Sequence, residues 1–102
     1  MLAAARRAIS LIEGRTRGNL DEDDVLVLAL TRLLEIVGEA ARGVSDETRD
    51  AHPEVPWRAM AATRDKLIHG YFAVDLDVVW QIVRNDLPTV VEALNKMVPP
   101  ER

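Results

Sequence analysis

The sequence predicts an all-α protein, a helical bundle of four long helices and one short one. Three observations carry that prediction. Hydrophobic residues form 48% of the 102-residue chain while aromatics form only 4%, so the core must be built from Leu, Val, Ile and Ala, residues that fill helices well. Apolar positions recur at three-to-four spacing through most of the chain, and no segment shows the strict alternation of a half-buried strand. Repeats, low-complexity tracts and glycine-rich phosphate loops are absent from the sequence. At this length residues 1–98 form one domain, with Pro99-Pro100-Glu101-Arg102 a frayed tail.

The first helix runs from Leu2 to about Glu13, with Leu2, Ala5, Ile9 and Ile12 on one face. Gly14 and then Gly18-Asn19 end it. The acidic block Asp21-Glu22-Asp23-Asp24 suits a helix N-terminus, where unpaired amides favour negative charge. A second helix is therefore expected from about Glu22 to Arg42. Its apolar stripe, Val25 to Leu30 and then Leu33-Leu34 with Ile36-Val37, is too broad for one neighbour to cover. It should lie centrally, against two helices of its own chain or against one helix and a second subunit. Gly38 costs about 1 kcal/mol relative to Ala in a helix interior, and either close helix packing or a position near the helix end offsets that.

Ser45-Asp46-Glu47-Thr48 reads as the cap and first turn of a short helix ending before His52-Pro53. Pro56 suits the first turn of the next helix, which would carry Trp57, Met60, Ala61, Arg64, Leu67 and Ile68 and stop near His69, because Gly70 can close a helix in the left-handed conformation. Asp75-Leu76-Asp77 opens the last long helix, which runs on to Met97. Pro88 must interrupt it, either as a kink or with Asp86 capping a fresh helix.

Net charge is −4 and the sequence pI about 5.1, which argues against a general polyanion-binding surface and against a polybasic membrane anchor. Any nucleic-acid contact must rest on local positive charge. The absence of cysteine excludes disulfides and thiolate metal sites. Met1 to Glu13 is too short and too charged for a signal peptide or membrane span, so a cytoplasmic protein is expected.

Candidate chemistry concentrates in Arg64-Asp65-Lys66-Leu67-Ile68-His69-Gly70-Tyr71. Histidine titrates near ~6.5 and serves as acid or base at cellular pH. Arg64 offers a planar, permanently charged fork suited to a phosphodiester. Together they supply what metal-free RNA cleavage needs: a group that moves protons at a ribose hydroxyl and a cation for the charged transition state. On a continuous helix, however, Arg64 and His69 would diverge by about 140° around the axis and about 7.5 Å along it. Asp65 and His69, four apart, would instead share a face, so that Asp65 orients the imidazole. Arg58, Lys66 and Arg84 are candidates for a basic rim, or ordinary solvated side chains. Trp57, Phe72 and Trp80 suit core or interface anchoring better than base stacking. His52, before a proline, reads as structural or exposed. No metal-ligand spacing is recognisable.

Arg64 to Tyr71 resembles the R-x4-H-x-Y signature of HEPN domains of the HepT type, with Asp65 matching the polar residue often found after the arginine. Ile36-Val37-Gly38-Glu39-Ala40-Ala41, Pro56-Trp57, His69-Gly70-Tyr71-Phe72, Val74-Asp75 and Val79-Trp80 resemble that family in order, over roughly residues 25 to 98. The resemblance implies the toxin of a two-gene toxin–antitoxin system: a cofactor-free, metal-independent endoribonuclease whose composite site forms where two copies meet, as a homodimer or higher even-numbered oligomer. Arg64 and His69 would be catalytic, with Asp65 supporting. It also implies a nucleotidyltransferase antitoxin as partner, adding AMP to Tyr71 and blocking RNA entry. Two features depart from the family: the N-terminal helix is short, consistent with an absent upstream segment or a different start, and the net charge is acidic. A non-catalytic helical module that binds the nucleotidyltransferase is the alternative reading, and a nucleotide-binding domain using Arg64 and Trp57 is a third.

Overall fold

A computed structural model of the chain describes residues 1–63, 68–69 and 73–97, with residues 68, 69 and 73 described by backbone alone. Helix α1 (Leu2–Ile12) buries Ala5, Ala8 and Ile12. The chain reverses at Gly14, whose φ of 72° is the left-handed conformation a glycine adopts without Cβ strain.

The acidic block contains two helix starts rather than one. Asp21 and Glu22 belong to a single-turn helix, α2 (Asn19–Glu22), pinned by Leu20, which is 1% exposed. Asp23 then leaves helical geometry (φ −124°, ψ 91°), and its carboxylate accepts from the Leu26 amide at 3.0 Å. That cap opens α3 (Asp24–Arg42) two residues later than the charge pattern predicts. Acids favour a helix start generally, whereas only a non-helical residue with a free oxygen can cap one.

Helix α3 buries Leu26, Leu30, Leu34, Val37, Gly38 and Ala41. It packs against α1 on one side and α5 on the other, the central position its broad stripe predicts. The burial of Gly38 fits the close-packing reading. Val25 and Leu28, 76% and 70% exposed, lie on a further face that the described chain leaves open.

Helix α4 (Asp46–Ala51) starts where expected, with the Ser45 hydroxyl accepting from the Thr48 amide at 3.2 Å. Its Arg49 turns back to the end of α3 and donates to the Ala41 and Arg42 carbonyls at 2.9 and 3.3 Å. A cation there satisfies terminal carbonyls and complements the helix dipole.

Helix α5 (Trp57–Ala61) follows Pro56, which stands at its N-cap. The expectation of one helix reaching His69 is corrected here. Ala62 is a turn, Thr63 is helical again, and Ile68 and His69 are extended. Strand β1 (Ile68–His69) pairs antiparallel with β2 (Ala73–Val74), in the register Ile68 with Val74 and His69 with Ala73. β-Branched Ile68 and Val74 at paired positions favour that ladder, and two residues are too short a run for alternation to show in the sequence.

Asp75 caps α6 (Leu76–Gln81), accepting from the Val78 amide at 3.2 Å. The helix passes through a π-helical segment (Ile82–Asp86) into α7 (Leu87–Met97). No fresh Asp86 cap is formed at Pro88, and the helix runs on through it. Instead the Leu87 amide donates five residues back, to the Ile82 carbonyl. Proline lacks an amide hydrogen and crowds the carbonyl four residues earlier, and the wider turn just before it accommodates both.

Leu20, Leu30, Leu34, Val37, Val55, Val79 and Val83 form the fully buried centre. Helix α7 closes over α1, where the Arg6 guanidinium donates to the Asn95 side chain. Among the described residues no helix is long and apolar enough to cross a membrane. The C-terminal residues 98–102, expected to fray, lie outside the described residues.

Candidate functional site

Of the predicted site residues, Arg64, Asp65 and Tyr71 lie outside the described residues, and His69 is described by its backbone in β1. The basic-rim candidate Lys66, together with Phe72 and Gly70, also falls outside them. The structure describes the segments that flank the signature, α5 with Thr63 before it and β2 with α6 after it.

On the upstream side the frame is built from Trp57. Its ring is 6% exposed, and its indole Nε1 donates to the His52 carbonyl at 3.0 Å, fastening α5 to the loop before it. Arg42 of α3 donates to the Ala61 carbonyl at the end of α5. Thr63, 6% exposed, donates its hydroxyl to the Ala59 carbonyl at 3.2 Å. Arg64 therefore follows directly from an anchored buried residue.

On the downstream side the frame is the ladder and the cap. Val74 pairs with Ile68, Asp75 caps α6, and Val79 is completely buried one turn later. His69 thus sits in an extended pair whose far strand runs straight into a fixed helix. The angular and axial separation of Arg64 and His69 on a continuous helix no longer applies. The helical-face argument for an Asp65–His69 hydrogen bond falls with it.

His52 has the structural role expected of it. Its carbonyl holds Trp57, and its Nδ1 lies 3.3 Å from a Glu54 carboxylate oxygen. The Glu54 backbone amide, and after it His52, hold the Glu54 carboxyl below its ordinary range. Trp57 and Met60 are core residues, while Trp80 is half-buried against the core.

Sequence reasoning missed the polar residues of the π segment. A cavity of about 320 Å³ opens beside Thr63, with an apolar floor including Val37 and Met60 and a rim carrying Asn85, Asp86 and Thr89. The one signal that could have drawn attention to them was Pro88, since π turns are favoured where a helix must absorb such a defect.

The family model described as "Ribonuclease HepT-like" matches residues 1–97. The chain belongs to the HepT-like ribonuclease family. Among similar proteins, "Probable ribonuclease HepT" of Thermococcus cleftensis is 44% identical over 94 residues, covering 88% of this chain and 86% of that protein. "Putative RNase TTE0752" of Caldanaerobacter subterraneus subsp. tengcongensis is 34% identical over 94 residues, covering 92% of this chain and 84% of its own. No solved structure gives a significant match. Membership of the HepT-like family agrees with the resemblance read from Arg64 to Tyr71, and the match extends to the N-terminal helix that looked short.

Proposed function

We propose that this HepT-like protein is a metal-independent endoribonuclease, the toxin of a toxin–antitoxin pair, cutting RNA with Arg64 and His69. The observation that carries the reading is the R-x4-H-x-Y signature inside a chain that the family model matches almost end to end. The ribose 2′-oxygen attacks phosphorus and gives its proton to an imidazole. The bond from phosphorus to the 5′-oxygen breaks, and that oxygen takes up a proton. Arg64 stabilises charge on the non-bridging oxygens as it develops. Asp65 orients His69, through a geometry other than a shared helical face.

The site is composite, with Arg64 and His69 supplied by both copies of a homodimer. The open face of α3 at Val25 and Leu28 supports a second subunit. Control comes from a nucleotidyltransferase antitoxin: the Tyr71 phenolic oxygen attacks the α-phosphorus of ATP, AMP is transferred and pyrophosphate leaves. The added phosphate charge beside Arg64 and His69 then repels RNA.

RNA cleavage by the purified protein, compared with His69→Ala and Arg64→Ala, tests the assignment. Both variants should lose activity while keeping the helical circular dichroism of the parent. Equal cleavage by all three proteins would remove the catalytic roles. Intact mass after co-expression with the neighbouring gene reads the AMP increment, and its persistence in Tyr71→Phe would remove Tyr71 as the target.

A further inference from the structure

A groove of about 600 Å³ lies between the loop after α1 and the α6–π junction, away from Thr63 and the 320 Å³ cavity. Arg15 and Arg17 approach it from the loop, and Trp80 and Arg84 from the opposite wall. Three arginines and one acid, Glu13, line the groove, in a chain whose net charge is −4. Trp80 packs part of its ring on the core and is half-buried, so that part of it lines the groove.

The arginines differ in their engagement. Arg15 lies 3.4 Å from Asp23, and Arg17 lies 2.7 Å from Asp77 and 3.3 Å from Asp21. Arg84 is exposed and has no carboxylate within ion-pair distance among the described residues. Asp77 stands in the first turn of α6, three residues after Val74 of β2. The Arg17–Asp77 contact therefore ties the loop after α1 to the first turn of α6.

We propose that the groove is a strand-binding subsite for single-stranded RNA outside the cleavage site, in which Trp80 stacks a base and Arg84 takes a backbone phosphate. The identity of the ligand rests on the ribonuclease reading above. A side-chain ring, and on the same wall a guanidinium with no ion-pair partner among the described residues, match the alternating base and phosphate of a splayed strand. A duplex keeps its bases stacked and offers no face to Trp80. Arg15 and Arg17, already paired with carboxylates, shape the opposite wall, and Arg17 holds it to α6.

The test is binding of a short fluorescein-labelled 2′-O-methyl oligoribonucleotide, which has no free hydroxyl to attack phosphorus, so affinity is read apart from cleavage. Arg84→Ala should weaken binding and flatten the dependence of log K on log salt by about 0.7, the single-strand value for one phosphate contact. Trp80→Leu should weaken binding about tenfold, within the range for losing one stacked base, and leave the salt slope alone. Arg7→Ala, a change on α1 outside the groove lining, should alter neither. Quenching of Trp80 emission by the strand reads stacking in the unsubstituted protein, over the background of buried Trp57.

The proposal is overturned if Arg84→Ala and Trp80→Leu bind as the parent does, or if Arg7→Ala loses as much as Arg84→Ala. It is also overturned if free AMP competes as well as the strand, which would make the groove a mononucleotide site. Should the parent bind no strand, the groove proposal fails while cleavage of unmodified RNA still decides the ribonuclease reading. Should His69→Ala bind normally and cut nothing, both readings are supported independently.

Discussion

Replacing Trp57 by Phe separates the contribution of one hydrogen bond and one ring from the rest of the fold. The indole Nε1 donates to the His52 carbonyl at 3.0 Å, and losing that bond costs about 1 kcal/mol. The His52 carbonyl keeps a second donor, the Val55 amide at 3.2 Å, so no buried acceptor is orphaned. The smaller ring buries roughly 40 Å² less apolar surface, worth about 1 kcal/mol. A residual cavity adds up to about 1 kcal/mol more where the site cannot collapse. The expected loss is therefore about 2–3 kcal/mol, a fall in Tm of roughly 10–20 °C for a domain of this size. Thermal unfolding followed by circular dichroism at one fixed protein concentration measures it. Trp80→Phe is the comparison, because that ring is half-buried and its indole has no hydrogen bond among the described residues. Its Tm should fall much less. A Trp57→Phe midpoint within a few degrees of the parent, or an equal loss at Trp80, would refute the claim that Trp57 fastens α5.

Asp23→Ala removes the side-chain N-cap of α3 and should cost about 1 kcal/mol, read as a lower urea midpoint with an unchanged m-value. Leu28→Glu places a charge on the open face of α3 and should shift the protein toward monomer in sedimentation without loss of helicity; an unchanged oligomeric distribution would take that face out of the subunit interface. Glu54 has a folded-state pKa below its unfolded value, so its stabilisation is present above about pH 5 and is lost as pH falls through the depressed value. The stability difference between parent and Glu54→Gln should accordingly vanish toward acid, and a gap that widens there would reverse the sign of the argument.

Helix periodicity and capping chemistry made α1, α3, α4 and the start of α6 legible, because each is specified within its own residues. Ser45 with Thr48, and Asp75 with Val78, are local pairs that the sequence displays directly. The misplaced features depend on contacts the sequence does not display. Leu20 makes α2 worthwhile only because a distant core covers it. The β1–β2 ladder pairs residues on either side of Gly70-Tyr71-Phe72, and each strand is too short to carry a period. The π segment answers Pro88 before the proline itself, so the defect and its accommodation occupy different positions. The signature was legible as chemistry from Arg64 and His69, yet His69 was expected to end a helix and stands instead in β1. Trp80 read as an anchor in preference to a base stacker, and Arg84 as a basic-rim candidate or a solvated side chain; the return of the α1 loop makes them one wall of a groove.

That groove bears on how an acidic protein handles a polyanion. With net charge −4, the long-range field repels RNA, and affinity must come from contacts made within a Debye length. Arg15 and Arg17 are locally balanced by Asp23, Asp21 and Asp77, so they add little to that field. Arg84 is unbalanced among the described residues, and the sequence places Arg64 and Lys66 in the signature segment. Arg7, Arg58 and Lys96 are likewise exposed with no carboxylate within ion-pair distance among the described residues, so the positive charge available to phosphate is scattered in small local groups. An enzyme arranged this way should associate with RNA slowly and retain strands that engage several of these groups at once. Non-specific capture is suppressed by the same acidic surface that makes such local contacts decisive. If a strand bridges them, shortening an RNA below that span should weaken its binding more than the loss of phosphate charge alone accounts for.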